Sequence, residues 1–112
     1  MKVGIVEHID SGHHLPGHPT CGRPHGHTYR VELTLEGPLA DGMVMDFAEV
    51  KRRLWSVIGP LDHVDLNGVM PYPTCENICD HICQGLRAKL SHPFTVRIWE
   101  GDGKWAEMDS RT

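Results

Sequence analysis

Histidine is concentrated at one end of this chain. Nine occur in 112 residues, and six of them (His8, His13, His14, His18, His25 and His27) fall within the first 27. They are spaced rather than consecutive, unlike an affinity tag, and imidazole is a frequent metal ligand, so the excess points to a site. His25-Gly26-His27 leads directly into an alternating segment, and at a period of two both rings face the same way, as two ligands of one ion require. Gly26 leaves the opposite face open. His13 has the parity of Ile5 and Ile9, so a first strand that persists that far places a third imidazole over the same face. Three neutral imidazoles without a fourth protein ligand describe a catalytic zinc site, with ligands at about 2.0–2.1 Å and one position left for water or substrate. Capping or surface roles suit His8, His14 and His18 better.

Other residues offer proton chemistry. Cys21 lies four residues before His25, with Arg23 between them. A thiol near a dication and a guanidinium favours its thiolate, which makes a base or nucleophile. Alternatively, Cys21 completes a closed structural site of one thiolate and three imidazoles, and both options fit the spacing. In Asp62-His63 the carboxylate can fix the imidazole's tautomer for proton exchange. Glu100 ends an apolar strand face, where a carboxylate is costly unless paired. Arg97 should face the other way, so a ligand with two adjacent N–H groups is the expected partner. Thr74 and Glu76, at a helix N-terminus, are placed to help hold that ligand, although N-capping alone accounts for Thr74.

These residues need elements to position them. Residues 2–9 read as a first strand, followed by the Gly/Pro/His-rich stretch SGHHLPGHPTCGRPHG, long for a loop and so a functional candidate. Tyr29, Val31, Leu33 and Leu35 alternate with polar neighbours in a half-buried strand. Asp46 and Glu49 form an N-cap with its capping-box partner, opening a helix on Phe47, Val50, Leu54 and Val57 that ends at Gly59-Pro60. Thr74 caps a second helix carrying Ile78, Ile82, Leu86 and Leu90. Cys75, Cys79 and Cys83 recur on it every four residues, without the paired spacing of a zinc knuckle, and read as small apolar core residues. Phe94 to Glu100 alternates as a third strand, and Gly101-Asp102-Gly103 turns the chain into a fourth, KWAEM. The order ββααββ predicts an α+β fold, a four-stranded antiparallel sheet with two helices on one face. Such a sheet has two bare edges, and Trp99 and Trp105 near them point to further copies of the chain.

Length and composition are those of a single domain over residues 1–112, with no linker, repeat or low-complexity tract. A net charge of −4 argues against a basic nucleic-acid-binding domain. No apolar run has membrane-spanning length, and the start MKVGIVEHID lacks the features of a signal peptide, so a cytoplasmic location without disulfides is expected.

Four ordered motifs now match a known pattern: C-x3-H-G-H-T-Y (Cys21 to Tyr29), L-D-H-x-D-L-N (Leu61 to Asn67), P-T-x-E-N (Pro73 to Asn77) and R-I-W-E (Arg97 to Glu100). Together they resemble the 6-pyruvoyl-tetrahydropterin synthase / 6-carboxytetrahydropterin synthase family across nearly the whole chain. The family's first zinc histidine follows F-[DS]-A-A, where this chain has Ile9-Asp10-Ser11-Gly12-His13, with the aromatic and both alanines replaced.

The resemblance implies a tunnelling fold (T-fold), hexameric, in which trimers close their sheets into a β-barrel with active sites at subunit interfaces. It implies zinc on His13, His25 and His27, Cys21 as proton-abstracting base, and Asp62 and His63 as a relay. Glu100 would anchor a pterin ring, with Thr74, Cys75 and Glu76 along the ring pocket. The implied substrate is 7,8-dihydroneopterin triphosphate. One branch of the family eliminates triphosphate and keeps a pyruvoyl side chain. The other also cleaves a carbon–carbon bond, giving acetaldehyde and 6-carboxytetrahydropterin, a precursor of deazaguanine-modified tRNA bases. The compact length looks like the second branch, and Cys21, where some relatives carry Glu, speaks against a variant making 6-hydroxymethyl-dihydropterin. A non-catalytic module with a closed Cys/His3 site is the competing reading.

Overall fold

The computed structural model describes residues 1–112. Strands β1 (Lys2–His13) and β2 (His25–Glu36) form a long hairpin. Helices α1 (Phe47–Ile58) and α2 (Cys75–Arg87) follow, and then strands β3 (Phe94–Glu100) and β4 (Lys104–Asp109). All neighbours in the sheet are antiparallel, in the order β1-β2-β3-β4. This is the expected ββααββ arrangement. The first strand runs on from Ile9 to His13 because every rung of the hairpin is filled, down to Gly12 opposite Gly26 and His13 opposite His25. Two short 3-10 turns, Gly59–Leu61 and Leu66–Gly68, occupy the segment that reads as loop in sequence.

One face of the sheet is apolar and the helices cover it. Ile9, Tyr29, Val31, Leu33, Leu35, Val96 and Ile98 meet Val50, Leu54 and Ile58 of α1 and Ile78, Ile82 and Leu86 of α2 in one core. Apolar burial of this kind contributes about 25 cal/mol per Å². Cys75, Cys79 and Cys83 are free thiols within that core. Burial pushes Cys75 up to about 11 and Cys79 up to about 12, so both stay neutral. Gly85 lets the helices approach closely, since a Cβ there would stand 2.8 Å from Val57 Cγ1.

Two local expectations change. Asp46 caps α1 through the Ala48 N–H at 2.8 Å, but Glu49 turns away from the capping box to pair with Arg52 and Arg53, charged donors that outbid a backbone amide. The β1 edge is also less bare than a four-stranded sheet implies. Residues 61–65 lie along its C-terminal end, with Gly12 N–H donating to Val64 O at 3.0 Å and His63 N–H to Asp10 O at 2.7 Å. On the outer face, Arg97 stacks 4.2 Å over Trp105, Arg30 stacks 4.6 Å over Trp99, and the Trp99 indole N–H donates to Glu32. Trp99 is thus occupied within the chain, whereas Trp105 is half exposed on the β4 edge.

Candidate metal and proton-transfer site

The sheet face that buries the core continues past the helices, and there its residues become polar. His13 on β1, His25 and His27 on β2 and Glu100 on β3 share that face by strand parity and by the register Tyr29 opposite Glu100. Ligand atoms of the three imidazoles all lie within 4.8 Å of one another. His13 is 2% exposed, so its orientation is set from inside. Its Nδ1–H donates to Pro73 O at 2.7 Å, and His25 Nδ1–H donates to Arg23 O at 2.7 Å. Those donations fix the tautomers and leave both Nε2 atoms as lone-pair donors. Yet the two Nε2 atoms face each other at 2.9 Å. Two acceptors at that distance need a proton or a cation between them. Two imidazoles anchored through Nδ1 and converging through Nε2, with the His27 ring beside them, make a donor set that a zinc ion takes, and the residues present fit it. Cys21 is not in the convergent set, which favours an open coordination position over a closed Cys/His3 site.

Glu100 has partners inside the chain. Its carboxylate stands 3.0 Å from His27 Nε2 and 3.3 Å from His13 Nε2, partners that the alternation of β3 alone does not reveal. Arg97 does face the other way, onto Glu107. Burial pulls the His27 imidazole below its ordinary value and Glu100 opposes that shift. Lys104, the register partner of Glu100, adds a smaller downward effect. Burial, then Glu100, holds the Tyr29 phenol well above its usual range, and its hydroxyl lies 3.4 Å from His13 Nδ1.

The Asp62–His63 pair is formed. His63 Nδ1 is 2.9 Å from Asp62 Oδ1, and the His63 ring is 76% exposed. His63 adopts φ 56°, a left-handed conformation rare outside glycine, held by its N–H donation to Asp10 O. Asp62 is itself fixed by the Asp10 N–H at 3.0 Å, which with the His63 contact holds its carboxyl below the usual range. An open cleft of about 560 Å³ over Gly12 and Gly26 is lined by both His27 and His63. Cys21 hydrogen-bonds to none of the three converging imidazoles, nor to Asp62 or His63. It sits in the loop joining β1 to β2, with its carbonyl accepting from Leu15 N–H at 2.7 Å. Thr74 caps α2 through Asn77 N–H at 3.1 Å, Cys75 donates to Ile98 O beside Glu100, and Glu76 is exposed on the first turn.

Some supporting groups escape sequence reasoning. Asn67 embraces the His14 backbone, donating to its carbonyl and accepting from its N–H, both at 2.9 Å. Asn77 Nδ2 donates to Tyr72 O at 2.7 Å, which steadies the turn whose Pro73 carbonyl receives His13. Both asparagines stand in the motifs quoted above, a signal that went without a role.

Comparison with known proteins identifies the family. Residues 2–111 match the family described as 6-pyruvoyl tetrahydropterin synthase. A protein of Archaeoglobus fulgidus, provisionally named 6-carboxy-5,6,7,8-tetrahydropterin synthase, is 40% identical over 109 residues, covering 96% of this chain and 95% of its own. A Pyrococcus furiosus protein named dihydroneopterin monophosphate aldolase is 36% identical over 88 residues, covering 76% of this chain and 77% of its own. The solved 6-pyruvoyl tetrahydropterin synthase of Caenorhabditis elegans superposes with a TM-score of 0.88 at 21% identity, over 97% of this chain and 94% of that one, so the two share the T-fold. The sequence match along almost its full length and the shared fold place this chain in the 6-pyruvoyl tetrahydropterin synthase family.

Proposed function

We propose that the protein is a zinc-dependent 6-carboxy-5,6,7,8-tetrahydropterin synthase, converting 7,8-dihydroneopterin triphosphate to 6-carboxytetrahydropterin, acetaldehyde and triphosphate. The observation that carries this reading is the three-imidazole convergence beside Glu100, in a chain so similar to a protein provisionally named for that activity. His13, His25 and His27 hold the metal, which when bound supplies Lewis acidity to the oxygens of the substrate side chain. Cys21 removes a proton from that side chain as thiolate. His63, its Nδ1–H held by Asp62, exchanges protons through Nε2. With the His13 and His27 imidazoles engaged by the metal instead of by its carboxylate, Glu100 receives the pterin's adjacent N–H groups bidentately and positions the ring, with Thr74, Cys75 and Glu76 along its pocket. Triphosphate departs by elimination, and hydrolytic carbon–carbon cleavage then releases acetaldehyde, with a water supplying the second oxygen of the carboxylate and a proton to the departing aldehyde carbon. The open β4 edge and half-exposed Trp105 support assembly into sheet-extended trimers and hexamers, with sites at their interfaces. A cytoplasmic setting and a role in deazaguanine tRNA-base synthesis complete the reading.

Mass analysis of products after incubating zinc-loaded protein with 7,8-dihydroneopterin triphosphate tests it. 6-Carboxytetrahydropterin with acetaldehyde is the expected result. A pyruvoyl product would assign the elimination-only branch instead, and unchanged substrate would refute the catalytic claim. The Pyrococcus relative makes dihydroneopterin monophosphate the second substrate to assay, and turnover of that compound alone would replace the proposal.

A further inference from the structure

We propose that His18 is a positioning residue for Cys21, locking the thiol's loop through an imidazole that takes the part of an asparagine. His18 Nδ1 lies 3.0 Å from the Cys21 amide nitrogen and 3.2 Å from that of Thr20, and both amides donate to it. An atom two bonds beyond Cβ that accepts from the amides two and three residues ahead forms an Asx-type turn, usually made by Asn or Asp Oδ1. Because Nδ1 accepts, the ring is neutral and carries its proton on Nε2. The surrounding backbone is built around this turn. Gly17 stands at φ +80°, His18 N–H donates to Leu15 O at 3.0 Å, and Leu15 N–H donates to Cys21 O at 2.7 Å. A Cβ on Gly22 would come within 2.8 Å of the His18 carbonyl, so the loop is closed tightly on itself. The His18 side chain is exposed and outside the converging triad, which leaves the turn as its contribution.

The lock rests on the proposed reading in which Cys21 is the base, and it predicts what that base needs. A flexible loop of eleven residues between His13 and His25 would spread Cys21 over many positions, and proton abstraction requires one. His18→Ala removes the acceptor for two amides. His18→Asn supplies Oδ1 at the equivalent position and should restore it. On the zinc-loaded protein, His18→Ala is expected to lower kcat about tenfold with KM nearly unchanged, and His18→Asn to recover most of that loss. Amide hydrogen exchange at Thr20 and Cys21, and iodoacetamide alkylation of Cys21, should both accelerate several-fold in His18→Ala and return towards wild type in His18→Asn. These two readouts need no turnover, so they judge the lock even if the wild-type protein fails to convert the pterin substrate and the functional reading falls. Exchange and alkylation unchanged in His18→Ala would overturn the proposal. So would a lower melting temperature with undiminished kcat per folded molecule, which marks a merely structural role.

Discussion

Pro73 receives the His13 Nδ1–H through a backbone carbonyl that no substitution can delete, but Asn77 offers a handle on it. Asn77→Ala removes the 2.7 Å bond from Nδ2 to Tyr72 O and frees the turn that carries Pro73. A neutral hydrogen bond of this kind contributes about 1 kcal/mol net. For a domain of about this size, that is a fall of roughly 5 °C in the melting temperature of the metal-free protein. The larger effect should be on metal. Loss of a partner that orients a ligating imidazole typically weakens affinity about 10- to 100-fold. Tyr29 Oη, 3.4 Å from the same nitrogen, remains to hold the ring in part, so we expect the lower end, about tenfold. Competition with a chromophoric chelator measures the affinity. Cobalt substitution, read by visible absorption, shows whether coordination geometry survives. Asn77→Asp separates donor from size, because it keeps the shape, adds a charge suited to a helix N-terminus and still cannot donate to Tyr72 O. It should lose affinity like Asn77→Ala. A lower melting temperature with unchanged zinc affinity in both variants would show that the 72–73 turn does not aim His13.

Four further outcomes follow from the same geometry. One thiol per chain, Cys21, should react rapidly with a disulfide reagent in the native protein and all four after denaturation, since Cys75, Cys79 and Cys83 are buried and the first two are held neutral by burial. Chelation of the metal should abolish turnover while leaving the circular dichroism of the folded chain, because the apolar core closes without the triad; unfolding on chelation would support a structural module instead. Asp62→Asn should lower kcat about 100-fold with zinc content unchanged, and substrate turnover insensitive to that change would remove the relay from the mechanism. Gly85→Ala should destabilise by about 1–3 kcal/mol against Val57, less the helix-propensity gain of about 1 kcal/mol, and Val57→Ala in the same chain should relieve it; both are read by chemical denaturation.

Parity made the hairpin and the triad legible. Every second residue from Ile5 to His13 and from His25 to Leu35 faces one side, so the shared face of three imidazoles follows from counting, once β1 extends past Ile9. Glu100 was legible as a carboxylate needing a partner. That His27 and His13 supply one depends on the register of β2 against β3, strands separated by both helices, and such pairing leaves no local trace. The Pro73 and Arg23 carbonyls were hidden for a simpler reason, since every residue has one and only the fold says which is aimed at a ring. Glu49 shows a local pattern overruled, its place in the capping box lost to two arginines on the same helix face.

The segment lying along β1 does more than hold Asp62 and His63. It occupies the outward backbone groups of Asp10 and Gly12, so a strand added to this edge must stop short of them. By the alternation of an antiparallel ladder, Gly4, Val6 and His8 present theirs to whatever arrives. The opposite edge of the sheet, β4, is six residues long. In the proposed assembly, a neighbouring copy offering those six residues to the eight of Lys2–Ile9 would find room along the edge and a built-in stop at its end. If copies of the chain assemble as proposed, one backbone loop would both carry Asp62 and His63 and dictate the register in which those copies close upon one another.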